Sequence, residues 1–200
     1  MKDVLIIGAA GGIARIVTQN LLDAPDVKLT LLLRHPKKLD KHIQASEQVN
    51  IVQADVLDSA AITEAAKGQD VVYANLYGAN LGKQAESLVR ALDAAGTKRL
   101  IWISANGMYG EIPGEYGQWN ARMLGSTLTA YAEGAMMVEE SNLDYTLIRP
   151  AWFQDDDEID YEKTQKGELF KGTEISRKSV ADYVTRLIHH PEQDIHASVG

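Results

Sequence analysis

The 200-residue chain is long enough for about one domain with a single well-buried core. It contains no cysteine, which excludes a disulfide framework, a thiolate metal site and a cysteine nucleophile. Its formal charge of -8 argues against non-specific attraction to nucleic acid or to an anionic membrane surface. Residues 3–8 (DVLIIG) form an apolar run without alternation after Asp3, the pattern of a strand buried on both faces of a parallel sheet. Beyond the glycines, Ile13, Ile16, Val17, Leu21 and Leu22 recur at helical spacing. A second strand is predicted over 27–33 (VKLTLLL), then a short helix from Pro36 to about Ser46. Residues 49–54 predict a third strand, and Asp58-Ser59 caps a helix that Gly68 ends.

Residues 70–75 (DVVYAN) predict a fourth strand, followed by a helix marked by Leu81, Ala85, Leu88, Val89 and Leu92 and closed at Gly96. A fifth strand is expected over 98–104 (KRLIWIS). Residues 105–120, with four glycines and Pro113, read as a loop. One long helix is expected over about 121–141, then a sixth strand over 144–149, stopped by Pro150. The stretch 151–175 has no clean period. Ser176 caps a last helix ending near Pro191, and residues 195–199 read as a short final strand.

Alternation of this kind, without repeats or linkers, predicts an α/β doubly wound parallel sheet with helices on both faces, a three-layer Rossmann-type fold. Residues 1–200 read as a single domain, with a small substrate-side cap from loops 105–120 and 151–175. No segment reaches the roughly 20 apolar residues of a membrane span, and the N-terminal run is too short for a signal peptide. A cytoplasmic protein is therefore expected, with no membrane or nucleic-acid partner. The state expected is monomer or homodimer.

Ligands of such sheets bind beyond the carboxyl ends of the strands. There the first strand runs into Gly8-Ala9-Ala10-Gly11-Gly12-Ile13-Ala14. Glycines at Gly8, Gly11 and Gly12 let the chain turn tightly and let a phosphate approach backbone N–H groups, with the next helix presenting its positive end. A tight strand-to-helix connection without ligand is the plainer reading, but the position on the first strand of an α/β chain is the context a dinucleotide site requires. The second strand ends at Arg34, where an NAD site usually carries an acid and an arginine suits the 2′-phosphate. Arg34, Lys37 and Lys38 are otherwise solvated charges at a helix start, where cations are disfavoured. NADP(H) is the cofactor expected, and Arg15 is placed to reach the same phosphate.

The run Gly8 to Arg15, Arg34, the segment Gln53-Ala54-Asp55-Val56, Ser104 and the stretch Ser141 to Pro150 resemble the atypical short-chain dehydrogenase/reductase group. The nearest branch is that of NmrA-like and NAD(P)-binding oxidoreductases, which includes biliverdin- and flavin-reductase-like enzymes. The resemblance spans about residues 3–190. It implies that Asp55 and Val56 flank the adenine, that Asn75 and Leu76 line the middle of the cofactor, and that Ser104 sits beside the nicotinamide. It also implies that Pro150, Ala151, Trp152 and Phe153 wall the nicotinamide. Taken alone, Asp55 and Asn75 are equally turn residues, and Ser104 a strand-end hydroxyl.

The chain departs from the better-known branch in one respect. Tyr131 stands where a catalytic acid is expected, but Ala135 replaces the lysine four residues on that would lower the phenol's pKa. Tyr131 is either a weak acid or part of an apolar stripe with Leu124, Leu128, Ala135 and Val138; Tyr109 and Tyr116 are alternative donors. The acidic run Asp155-Asp156-Asp157-Glu158 reads as a solvated loop, and no metal is expected. Two functions follow: an NADP(H)-dependent oxidoreductase acting on a small carbonyl, quinone or flavin-like acceptor, or an NmrA-like cofactor sensor without turnover.

Overall fold

The computed structural model describes residues 1–78 and 80–200. The chain alternates β1 (Lys2–Ile7), α1 (Gly12–Leu22), β2 (Val27–Leu33), α2 (Lys41–Gln44), β3 (Val49–Gln53), α3 (Ser59–Ala66), β4 (Val71–Ala74), α4 (Leu81–Ala95) and β5 (Arg99–Ile103). It continues with α5 (Gly114–Leu124), α6 (Ser126–Glu139), β6 (Asp144–Ile148), β7 (Trp152–Gln154), β8 (Glu174–Ser176), α7 (Arg177–His189) and β9 (Ala197–Val199). Seven strands form one parallel sheet in the order β3-β2-β1-β4-β5-β6-β9. This is the doubly wound α/β fold expected. No helix among the described residues is long and apolar enough to cross a membrane.

The unbroken apolar strands follow from burial on both sides. Along β1, Val4 and Ile6 face a layer containing Val17, Val180 and Val184 of α1 and α7. Leu5 and Ile7 face Ile62, Leu88 and Val138 of α3, α4 and α6. Each such side chain contributes roughly 1.5–3 kcal/mol by leaving water. The expected caps form: Asp58 accepts from the Ala61 amide at 3.0 Å and Ser176 from the Ser179 amide at 2.9 Å. The short terminal strand forms too, parallel to β6.

Four expectations about elements need correction. The helix over 36–46 is a 3₁₀ turn (Pro36–Lys38) and the short α2, because Leu39 turns extended between them and buries in the α1-side core. Residues 105–120 are not all loop. α5 starts at Gly114, and a β-carbon at Gly117 would overlap the Ile112 carbonyl. That glycine serves close packing rather than turning. The single helix over 121–141 is two, broken at Gly125, whose φ of 51° only glycine adopts readily. Residues 151–175 contain the parallel β7–β8 ribbon, packed beside α7.

The chain leaves β1 in both directions across the sheet, so β1 and β4 are adjacent while their onward connections diverge. A crevice opens at the carboxyl ends of such a pair.

Candidate functional site

A cavity of about 460 Å³ occupies that crevice. Its wall includes Gly8, Ala10 and Gly11 after β1, Arg34 and Lys38 after β2, Asp55 and Val56 after β3, and Asn75, Leu76 and Tyr77 after β4. The strand ends therefore bring together eight of the residues singled out from sequence: Gly8, Ala10, Gly11, Arg34, Asp55, Val56, Asn75 and Leu76.

The turn itself is built by the backbone. Gly8 adopts φ 77° and its amide donates to the Leu32 carbonyl at 2.9 Å; the Gly11 amide donates back to the Gly8 carbonyl at 3.0 Å. A β-carbon at Gly8 would overlap the Asn75 carbonyl, and one at Gly11 would overlap the Asn75 side-chain amide. These two glycines are thus required by Asn75 as well as by turning. Asn75 is locked to β1 by its amide, which donates to the Ile7 carbonyl at 2.9 Å. Gly12 opens α1, whose N-cap Gly11 offers no side-chain cap. Among the described residues, the Gly12, Ile13 and Ala14 amides donate to no backbone carbonyl outside the helix. Ile13 otherwise contributes a buried side chain to the core.

Arg34 lies at the cavity rim with its side chain 71% exposed, 3.7 Å from the Asp55 carboxylate. The other Asp55 oxygen accepts from the Leu57 amide at 2.9 Å, so Asp55 shapes its own turn and faces Arg34 at once. Arg15 is not free to reach a ligand as expected. Its Nε donates to the Ala10 carbonyl at 3.1 Å, and its guanidinium is further bound by the Lys38 carbonyl and by Asp40. It braces the glycine turn against the segment after β2.

The residues expected at the nicotinamide end divide. Ser104 is buried; its amide and hydroxyl both donate to the Ile148 carbonyl, at 2.7 and 3.0 Å. Its proton is engaged inward, the strand-end reading. Tyr131 is buried on α6 with Ala135 and Val138 in the same core layer, whereas Leu124 and Leu128 of the expected stripe are only half-buried and lie outside it. Its hydroxyl donates to the Leu76 carbonyl at 3.2 Å, which puts it behind the cavity wall. Burial first, and then Tyr77, pushes its pKa up to about 12. Tyr109 donates to Glu139 at 2.6 Å, and burial raises its pKa further from the working range. Tyr116 donates to the Thr173 carbonyl.

Pro150 and Ala151 lie beside β6 but line a different cavity of about 490 Å³, between β9, α7 and the 158–175 segment. It is marginally the larger, but the glycine turn does not line it. Trp152 donates its indole N–H to Asn120 at 2.8 Å and meets Trp119 at a centroid distance of 5.1 Å. Trp119 in turn stacks on Tyr116. Phe153 is 38% exposed under the Arg177 guanidinium. Tyr116, Trp119 and Trp152 form an aromatic shelf on α5 and β7, while Phe153, next along the strand, points to the opposite face against Arg177. The acidic run is not merely solvated: Asp155 pairs with Arg177 at 2.6 Å and Asp157 with Lys178. Arg177 lies against the glycine turn and went unnoticed in the sequence, as did Gln84, which lines the cavity. A cation directly after the N-cap Ser176 was the available signal for Arg177.

Uncapped amides at the start of α1, a crevice at the switch point and a cationic rim fit a dinucleotide diphosphate and its adenosine end. Residues 8–191 match the family described as NAD(P)H-binding. The chain belongs to that family. A Rossmann-fold NAD(P)-binding protein from Shigella flexneri is 42% identical, superposes with a TM-score of 0.86 and aligns over 100% of this chain and 92% of its own. A short-chain dehydrogenase/reductase from Veillonella parvula, solved in complex with NADP, is 28% identical, with a TM-score of 0.94 over 100% of this chain and 93% of that one. Protein YmjC of Escherichia coli K12 is 51% identical over 41 residues, 20% of this chain and 68% of that protein.

Proposed function

We propose that this NAD(P)H-binding protein is an NADP(H)-dependent reductase of a small, flat, conjugated acceptor, of the quinone or flavin kind. The observation that carries the cofactor choice is the end of β2: Arg34, exposed at the cavity rim, stands where an NAD site would place a carboxylate. The neighbouring Veillonella enzyme's complex with NADP supports the same choice. The glycine turn and the α1 amides would hold the diphosphate, Asp55 and Val56 the adenine end, and Asn75 and Leu76 the middle. A bound nicotinamide supplies the hydride.

The protein's own groups support the choice of acceptor. Ser104 and Tyr131 both have their protons on backbone carbonyls, and Tyr131 lacks a lysine to lower its pKa. A simple ketone, whose alkoxide needs a proton at once, is poorly served. A conjugated acceptor stabilises its reduced form by delocalisation and takes a proton from water. The shelf of Tyr116, Trp119 and Trp152 offers π-faces to such a ring.

Steady-state oxidation of NADPH against quinones, flavins and aldehydes tests this reading. Turnover with quinones or flavins and little with aldehydes is expected; no turnover with any acceptor, despite tight NADPH binding, overturns it. Arg34→Ala is expected to weaken NADPH about tenfold or more and to leave NADH unchanged, as removal of one charge-assisted contact does. Wild-type preference for NADH would sink the cofactor choice. The occupied hydroxyls also favour a second reading, a cofactor sensor without turnover. It requires a partner captured with NADP(H) and lost without it.

A further inference from the structure

The first turn of α7 carries Arg177 and Lys178, at the end of a helix where the dipole disfavours cations. Arg177 reaches from there to the glycine turn. Its Cδ and Nε lie 3.3 Å from the place a β-carbon would take at Gly12. Its Nη1 donates to Asp155 at 2.6 Å, and its guanidinium sits over the Phe153 ring, 5.3 Å from the centroid. The Asp155 side chain is 87% exposed, that of Arg177 32%. A half-sheltered guanidinium thus stands beside the uncapped start of α1, with a solvated carboxylate as its only ion-pair partner among the described residues.

We infer that Arg177 is a cofactor-binding residue that clamps the diphosphate from the α7 side, exchanging Asp155 for phosphate oxygens when the dinucleotide enters. The inference rests on the dinucleotide reading of the glycine turn. The planar fork of arginine matches phosphate oxygens in pairs, and it brings to the diphosphate a full charge that the α1 amides lack. The exchange is easy because an exposed carboxylate pair is weak and screened by salt, whereas the diphosphate carries two charges beside a helix N-terminus. Phe153 keeps the guanidinium flat and in place through the exchange. Since Asp155 and Phe153 both belong to the 151–175 segment, cofactor occupancy is coupled to the tie between that segment and α7.

Calorimetric titration of NADPH, NADH and 2′-AMP into wild type, Arg177→Gln and Asp155→Asn tests the clamp. Arg177→Gln is expected to weaken NADPH and NADH by the same factor, about ten- to hundredfold, the range of one or two charge-assisted bonds. It should leave 2′-AMP, which has no diphosphate, within about twofold of wild type, well inside the fold-change of one such bond. Asp155→Asn is expected to tighten both dinucleotides about two- to fivefold by removing the competing carboxylate. Unchanged dinucleotide affinity in Arg177→Gln overturns the inference, as does an equal loss of 2′-AMP binding. If Arg177→Gln gives no cooperative melt, Asp155→Asn decides: tighter binding supports the clamp and unchanged binding overturns it. Failure of wild type to bind either dinucleotide would instead remove the reading beneath it, so the two failures are distinguishable.

Discussion

Two hydroxyls of this chain have the right chemistry in the wrong state. Ser104 and Tyr131 are the donors expected at the nicotinamide end, yet each gives its proton to a backbone carbonyl. Tyr131→Phe should therefore leave NADPH turnover within about fivefold of wild type, since it deletes one neutral hydrogen bond worth about 1 kcal/mol. A loss of a hundredfold or more would show that Tyr131 is the acid after all. The same tyrosine sets a pH dependence of stability. Its folded pKa, near 12, lies above the unfolded value of 10, so the folded state keeps a proton that the unfolded chain loses. Its contribution is complete below about pH 10 and disappears as pH rises through about 12. Tyr73 and Tyr183 are raised in the same direction, chiefly by burial. A melting temperature that falls above about pH 10, and falls less steeply in Tyr131→Phe, is the expected record. Arg149 is fully buried, donating to Glu111 at 2.5 Å and to Ser198 through Nε and Nη2. Glu111 also accepts from the Gly107 and Tyr109 amides, so the pair ties the loop after β5 to β6 and β9. Arg149→Ala should destabilise by about 3–5 kcal/mol in urea titration, because Glu111 is left buried without its partner; a loss below about 1 kcal/mol would mean that water replaces the arginine.

At the scale of elements, the close approach of α6 to α4 and β5 depends on Gly134. A β-carbon there would come 2.5 Å from the Trp102 ring and 3.2 Å from the Ala85 methyl. In an exposed helix, glycine to alanine stabilises by about 1 kcal/mol. Here overlap with a ring packed on every side reverses the sign. Gly134→Ala should lose about 1–3 kcal/mol, the range of overpacked cores, and should lower the melting temperature; a rise would show that α6 can shift outward at little cost. The break between α5 and α6 has a related logic. The apolar period runs on through Leu124 and Leu128, so the pattern alone predicts one helix. Gly125 ends α5 instead, with its amide returning to the Ala121 carbonyl at 2.9 Å. Period reports which face is buried, whereas a positive φ at one glycine reports that the chain changes direction.

For the whole molecule, ligand binding should be visible as stability. At a hundredfold excess over Kd, a cofactor bound only by the folded state adds about 2.7 kcal/mol, or about 5–10 °C in a chain of this size. NADPH should produce that shift and NADH a smaller one at equal concentration; equal shifts would remove the role given to Arg34. The sheet, its parallel sense and the β1 glycine turn were legible in the sequence. They rest on local signals: apolar runs buried on both faces, helical period between them, and glycines at the first strand end. Arg34 and Asp55 were legible for the same reason, since each follows a strand and the carboxyl edge of the sheet gathers such positions. What the tertiary structure alone decided is how the polar groups are spent. Arg15 is bound by Ala10, Lys38 and Asp40, and Ser104 by Ile148. Tyr131 is bound by Leu76, while Asp155 holds Arg177 against Gly12. Those partners lie on separate elements that only the packed sheet brings within hydrogen-bond distance. A hydroxyl or guanidinium in a sequence shows what can be donated, but its acceptor is chosen by the fold.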